Sequence, residues 1–454
     1  MTIEQLYRLY LQYPSVQTDT RKLKKGDLFF ALKGPHFNAN LFAAQALERG
    51  AAYAIVDEVQ QSGEIAGSLS AEGSGKMQEV VSDRMIRVDD ALQTLQDLAG
   101  YHRSQFRIPF LAVTGSNGKT TTKELIHAVL STTYRTSTTQ GNLNNHIGIP
   151  LTLLGIPRDT EIAVIEMGAN HQKEIEGYCR YTRPTHGIIT NAGKAHLEGF
   201  GGPEGVKKGK GELYQFLKKQ GGTAFVMWDY EYLREMSAGI PHIITYGTKD
   251  AALTGNLKQS EPFLSVDITR GATTGTISTQ LVGDYNLPNV LAAVAVGRYF
   301  KVPEERISTA IGQYTPSNSR SQLIQKDGNH IILDAYNANP SSMKAAIENF
   351  AAMQAPSKIL ILGAMAELGE ESLNEHQGIV RLIGQYPWSQ VVLVGGDFER
   401  IDHPYLRFAD SKEAAQWMKS AGLKNKYILI KGSRSTKMEQ VLEPLADGDR
   451  KAHF

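Results

Sequence analysis

The sequence predicts an α/β protein of three domains whose sheets are largely parallel. Three observations lead there. Strand-like apolar runs alternate with helix-like runs over most of the chain. One of those runs, "FLAV" at 110–113, passes through a glycine turn straight into a helical pattern. A length of 454 residues is about three domains' worth.

Taken in order, the start "MTIEQLYRLYLQYP" carries Glu4 and no basic stretch followed by an apolar core, so it does not read as a secretion signal. Residues 1–88 hold the strand-like "GDLFFALKG" and "AAYAIVDE" around the helical "ANLFAAQALERG". The stretch "SGEIAGSLSAEGSGKMQEV" (62–80) is rich in Gly, Ser and Glu and predicts an exposed loop or insertion. Residues 89–312 form the second domain, with "FLAV", "IAVIEMG" (162–168) and "GIITNAG" (187–193) as strands, each ending where a ligand can sit. The polar, turn-prone "YTPSNSRSQ" marks a boundary near residue 312. Residues 313–454 then alternate "HIILDAY", "KILILGA", "VVLVGG" and "YILIKG" with helical stretches, a further doubly wound unit. No internal repeat is visible.

Composition is that of a globular enzyme, with 41% hydrophobic and 21% charged residues. Lys+Arg and Asp+Glu nearly cancel, 48 against 47, which leaves no basic field for nucleic acid. The single cysteine, Cys179, excludes an intramolecular disulfide and a multi-cysteine metal site. No apolar run approaches the ~18 residues of a membrane helix. A cytoplasmic location is expected.

The stretch "AVTGSNGKTTT" (112–122) looks like a phosphate loop of unusual length. The common form, G-x-x-x-x-G-K-S/T, needs glycine where Val113 stands; here the first glycine is Gly115. Its physics still suits phosphate. Strand, turn and helix follow without a gap, so helix N-terminal N–H groups point at whatever occupies the turn. Lys119 adds a positive charge toward β/γ-phosphates, and the Thr120 hydroxyl is placed to hold Mg²⁺.

Other groups are suggestive and individually ambiguous. Glu166 ends "IAVI" and can either reach a metal shared with Thr120 or cap a helix. His196, in "NAGKAHLEGFG", is a candidate ligand or a surface histidine. Lys207, Lys208 and Lys210 make a short basic run that, taken alone, reads as a solvated helix start. Asn286 and Asn289, three apart before an Ala/Val-rich helix, face a base or phosphate or serve as caps.

Together these stretches resemble the Mur ligase family, ATP-dependent enzymes that build the peptide of bacterial cell-wall precursors. That family's loop is T-G-S/T-x-G-K-S/T-S/T, and "TGSNGKTT" (114–121) matches it throughout. The resemblance covers essentially the whole chain, including "GNLNNHIGIPLTLL", "EMGANHQKEI", "KGKGE", "DAYNANPSS" and "IKGSRSTKME". It implies a central P-loop ATPase-like parallel sheet and a C-terminal Rossmann-like domain. The most specific stretch, "DAYNANP" (334–340), resembles the branch that adds D-alanyl-D-alanine to a UDP-N-acetylmuramoyl-tripeptide; the D-N-P-R string of the branch adding the third residue is absent. Those two molecules are the expected substrates, in peptidoglycan synthesis, and a monomer is expected.

Residue by residue, the resemblance implies that Gly115, Ser116, Asn117, Gly118, Lys119, Thr120 and Thr121 bind ATP. Asn286 and Asn289 contact the nucleotide, with Asn289 against adenine, and Arg320 and Asp334 complete the site. Thr120 and Glu166 hold a first Mg²⁺. His196 holds a second, together with Lys210 as a carbamate formed with CO₂, which partial burial and the charges of Lys207 and Lys208 would favour. Thr20, Arg21, Asn142, Asn145, Tyr336, Asn337 and Asn339 are expected to bind substrate, with Asp19, Thr20 and Arg21 standing where the family has D-S-R. Ala364, Tyr285, Trp228 and "HFNAN" (36–40) depart from its usual residues. Two other readings stay open. A folylpolyglutamate-synthase-like ligase would share the ATP loop but not the N-terminal domain, and a non-catalytic nucleotide-binding regulator would be expected to lose Lys119, Glu166, His196 or Lys210.

Overall fold

The computed structural model describes residues 1–58, 83–317 and 319–445; the stretch 62–80, expected to be an exposed loop, lies outside them. The chain forms two compact units, one made of residues 1–110, 137–167 and 176–184, the other of 111–136, 168–175 and 185–454.

The first unit carries a four-stranded parallel sheet of Val16–Gln17, Leu28–Phe30, Tyr53–Val56 and Met85–Arg87, in chain order. All three residues of "LFF" are buried, as expected of a strand covered on both faces. Phe29, Ala46 and Ala54 lie in the core beside it. The segment predicted as one helix at 39–50 is instead a 3₁₀ turn, Ala39–Phe42, followed by a short helix, Ala43–Glu48. The Asn38 side chain, accepting the Asn40 N–H, fixes the turn ahead of the helix. The helix Ala91–Ser104 starts at Asp90, whose carboxylate accepts the Gln93 N–H at 2.8 Å. At its far end the buried Arg103 donates to the carbonyls of Phe106, Thr182 and Arg183 at 2.8–3.0 Å and lies over the Phe110 ring. Strands Thr136–Thr138 and Ile162–Glu166 are neighbours, the second buried throughout.

The second unit holds two sheets. In one, Phe110–Thr114, His186–Ile189, Thr223–Met227, His242–Gly247 and Leu253–Gln259 run parallel. Ser265–Arg270 and Thr276–Ser278 extend it antiparallel. This antiparallel edge has no counterpart in the runs singled out above. Its strands alternate buried with exposed or half-buried residues, so they lack a continuous apolar signal. The other sheet runs Gln322–Lys326, Asn329–Asp334, Tyr427–Lys431, Lys358–Gly363, Gln390–Val394, Leu406–Phe408; only its first pair is antiparallel. Helices between its strands complete the doubly wound pattern. Among the described residues no helix is long and apolar enough to cross a membrane.

Candidate active site

The glycine loop sits where the sequence puts it, between the fully buried strand Phe110–Thr114 and the helix Lys119–Ser131. Gly115 (φ +144°) and Gly118 (φ +78°) are glycines for space as well as for conformation. A Cβ on Gly115 would stand 2.0 Å from the Thr190 hydroxyl, and one on Gly118 2.7 Å from the Asn289 side-chain oxygen. No side chain caps the helix at Gly118. That leaves its dipole directed at the loop, the arrangement that receives phosphate. Lys119 folds over the loop, its ammonium donating to the carbonyls of Gly115 (2.7 Å) and Ser116 (3.1 Å). Thr120 is buried and Thr121 half-buried.

The loop is pinned by the segment after the neighbouring strand. The Ser116 N–H donates to the Asn191 carbonyl, the Ser116 hydroxyl to the Gly193 carbonyl, and the Asn117 N–H to the Asn191 side-chain oxygen, at 2.9–3.0 Å. The Thr190 hydroxyl donates to the Asn117 carbonyl at 2.6 Å. Thr190 and Asn191 escaped the sequence reading; their signal is the carboxyl end of a parallel strand adjoining the loop strand. On the other side, Asn289 accepts from the Thr122 hydroxyl at 3.0 Å and donates to Asn286 at 2.9 Å, while Asn286 donates to the Val282 carbonyl at 2.9 Å. The two amides are buried and joined to each other, behind the loop.

Lys210 lies on the helix Pro203–Gln220, in phase with Val206, Leu213 and Leu217, and is fully buried. The basic run is therefore not one solvated face. Lys208 is exposed, and the half-buried Lys207 pairs with Glu204 at 2.7 Å. The Lys210 ammonium donates to the Ala169 carbonyl at 2.9 Å and sits 4.8 Å from the Phe200 ring centre. Burial first, and the charge of Lys119 second, hold its pKa well below the usual lysine range. The neutralising cation is thus Lys119, where Lys207 and Lys208 were expected. His196, in left-handed backbone (φ +51°), sets Nδ1 against the carboxylate of Glu367, and hydrogen bonding to that imidazole holds the carboxyl below its usual range. Glu367 was missed, although it stands three residues beyond the noted Ala364.

In the first unit, Glu166 is buried at the end of its strand. It accepts from the Asn144 amide at 2.7 Å, and its N–H donates to the Thr139 hydroxyl at 3.0 Å. Asn144 lies between Asn142 and Asn145, the two amides expected to bind substrate. The Asn145 side chain instead accepts the Gly148 N–H at 2.8 Å at the start of a helix, and the Asn142 carbonyl accepts the Asn144 N–H at 2.8 Å. Arg21 makes a two-point contact with Asp19 at 2.8–2.9 Å, which draws that carboxyl down to about 2, and the Thr20 carbonyl accepts from Arg49 at 3.1 Å.

In the second unit, "DAYNANP" runs from a strand end to the start of the helix Pro340–Ala352. Asp334 pairs with the buried Lys431 at 2.6 Å and accepts the Ser321 N–H at 3.2 Å. Lys431 also donates to the Asn337 carbonyl at 3.2 Å. Arg320 lies 3.6 Å above the Tyr336 ring. The Asn337 side chain accepts the next N–H, that of Ala338, at 2.9 Å. Asn339 caps the helix reciprocally with Ser342 and donates its amide to Asn117 of the glycine loop at 2.7 Å. Among the departures, Tyr285 hydrogen-bonds Ser321 at 2.9 Å, Ala364 is buried, and the Trp228 N–H donates to the Tyr246 carbonyl at 2.7 Å. In "HFNAN", Asn40 donates to Asp57 at 2.7 Å.

A buried parallel strand, a glycine loop held open by its neighbours, and a helix beginning with lysine and threonine make this an α/β protein of the nucleotide-phosphate-binding class. The chain belongs to the Mur ligase family. It matches the family models described as Mur ligase family, catalytic domain (12–103), Mur ligase middle domain (113–297) and Mur ligase, glutamate ligase domain (319–434). It is 34% identical to the UDP-N-acetylmuramoyl-tripeptide–D-alanyl-D-alanine ligase of Bacillus subtilis, over 95% of this chain and 93% of the relative. A crystal structure of MurF from Acinetobacter baumannii superposes with a TM-score of 0.82 at 30% identity, covering 98% of both chains. MurF ligase from Thermotoga maritima in complex with ADP gives 0.81 at 26% identity, covering 95% of this chain and 97% of that one.

Proposed function

We propose that this protein is an ATP-dependent, ADP-forming ligase that joins D-alanyl-D-alanine to a UDP-N-acetylmuramoyl-tripeptide during peptidoglycan precursor synthesis. The observation that carries the reading is identity of 34% with a ligase of that activity across 95% of the chain. The "DAYNANP" stretch and the N-terminal domain point the same way and away from a folylpolyglutamate-synthase-like ligase. The presence of Lys119, Glu166, His196 and Lys210 weighs against a non-catalytic regulator.

In this reading the γ-phosphate of ATP passes to the terminal carboxylate of the tripeptide, releasing ADP and leaving an acyl phosphate. The dipeptide amine attacks that carbonyl, and phosphate departs from the tetrahedral intermediate. The protein's work is alignment and charge neutralisation. Lys119 exchanges its loop carbonyls for the β/γ-phosphates, and the uncapped helix end receives them. The Thr120 hydroxyl and the Glu166 carboxylate would offer Mg²⁺ the hard oxygen donors it prefers, and the ion would supply neutralisation of phosphate charge. His196 and a carbamylated Lys210 would hold a second ion, and the burial that lowers the Lys210 pKa would favour the carbamate. Arg320 and Asp334 complete the nucleotide site with Asn286 and Asn289 behind the loop. Thr20, Arg21, Asn142 and Asn145 serve the nucleotide-linked peptide, and Tyr336, Asn337 and Asn339 the dipeptide. Residues 1–88, 89–312 and 313–454 are the corresponding functional domains, in a cytoplasmic monomer.

The test is a coupled assay of ADP release with several UDP-muramoyl peptides, with and without D-alanyl-D-alanine. Release is expected only when the tripeptide and the dipeptide are both present. Equal release with single amino acids or glutamate in place of the dipeptide would remove the assignment while leaving a ligase.

A further inference from the structure

The side chains of Asn117 and Asn339 meet head to head. The Asn339 amide donates to the Asn117 oxygen at 2.7 Å, and the Asn117 amide faces the Asn339 oxygen at 3.5 Å. Each partner stands on a fixed base. The Asn117 backbone is held on both sides, its N–H by Asn191 at 3.0 Å and its carbonyl by Thr190 at 2.6 Å. Asn339 is locked by its reciprocal cap with Ser342, at 2.9 and 3.1 Å. The approach beside them is close. The Lys194 N–H donates to the Ser341 hydroxyl at 2.9 Å, and a Cβ on Gly193 would stand 2.9 Å from that same hydroxyl oxygen. Gly193 in turn accepts from Ser116 of the glycine loop at 2.9 Å. The loop and the first turn of the helix Pro340–Ala352 are therefore one hydrogen-bonded assembly.

We infer that Asn117 is a positioning residue, whose amide sets the start of the acceptor helix, so that filling the nucleotide loop and presenting the dipeptide are coupled events. This rests on the ligase reading above. Asn117 occupies the one place in T-G-S/T-x-G-K-S/T-S/T that the motif leaves open, so its side chain is free to take a duty besides phosphate binding. A helix start carried on a rigid base moves with its partner, and a displacement of about 1 Å is enough to spoil an attack geometry.

The test is a double-mutant cycle with Asn117→Ala and Asn339→Ser. Serine keeps an oxygen for the helix cap and removes the amide, so the helix still starts in place. Each single variant is expected to raise the KM for D-alanyl-D-alanine about tenfold, the scale of one well-supported hydrogen bond. The double variant should be no worse than either single one. Additive losses, or a loss of nucleotide affinity with unchanged dipeptide KM, would overturn the inference. A second measurement does not depend on the substrate. A non-hydrolysable ATP analogue should slow amide hydrogen exchange over residues 340–345 in the unaltered protein and not in Asn117→Ala. Equal protection in both would reject the coupling even if no dipeptide is used, whereas a protein that ignores the dipeptide but shows the difference would fail only the ligase reading.

Discussion

Lys119 and Lys210 show what single residues disclose. The role of Lys119 is legible in eight letters, because a loop motif packs its geometry into adjacent positions. Lys119→Ala should lower turnover at least ~10²-fold in a folded protein, the scale for removing one preorganised charge-stabilising donor; near-normal turnover would take this loop out of the chemistry. Lys210 is legible only in retrospect. Its phase with Val206, Leu213 and Leu217 marks it as inward-facing, but two neighbouring lysines disguise it as part of a solvated run. Lys210→Ala is expected to be almost inactive and partly restored by added short carboxylates, while Lys207→Ala, which loses only a surface pair with Glu204, should turn over normally. Full activity in Lys210→Ala would exclude the carbamate. Glu367 and Asn144 were not legible, since each acts on a residue brought near by folding, whereas Thr190 and Asn191 are marked only by their place at a strand end beside the loop.

At the level of elements, the strands and helices that frame the loop follow from their apolar pattern, and the antiparallel edge does not. Strands at the antiparallel edge bury one face and intersperse polar residues, so they lack the continuous runs of the parallel ones. The strand His186–Ile189 carries a further consequence. His186 is packed among Phe225, Tyr299 and Phe300, and burial lowers its pKa from 6.5 to about 4. The unfolded chain therefore binds the extra proton between those values. Stability from this source is complete above pH ~6.5 and declines as pH falls toward ~4, by at most about 3 kcal/mol. Urea midpoints at about pH 7.5 and pH 5 should separate more in the unaltered protein than in His186→Gln, and an identical pH dependence in both would refute the assignment.

For the whole molecule, three sheets were foreseeable from the alternation of strand and helix. The division of contacts was not. Residues 137–167 and 176–184 return to the unit that begins the chain, and such long-range grouping leaves no trace in local pattern. Within the second unit, two ion pairs of similar length differ sharply in setting. Lys194–Glu375 (2.5 Å) leaves half of its lysine exposed, whereas Lys431–Asp334 (2.6 Å) has its lysine side chain 2% exposed. Glu375→Ala should shift Tm by no more than about 2 °C. Lys431→Met should cost about 3–5 kcal/mol, because it leaves the half-buried Asp334 carboxylate without its buried cation. Thermal scans of the two variants decide this, and equal shifts would mean that burial does not set the energetics here.

The burial of Lys210, with the carbamate proposed for it, would tie this protein to the dissolved gas around it. An amine enclosed in this way meets only small neutral molecules readily, and a carbamate at that position forms and decays with the supply of dissolved carbon dioxide. Protein held in gas-stripped, mildly acidic buffer should therefore begin slowly and recover on adding bicarbonate.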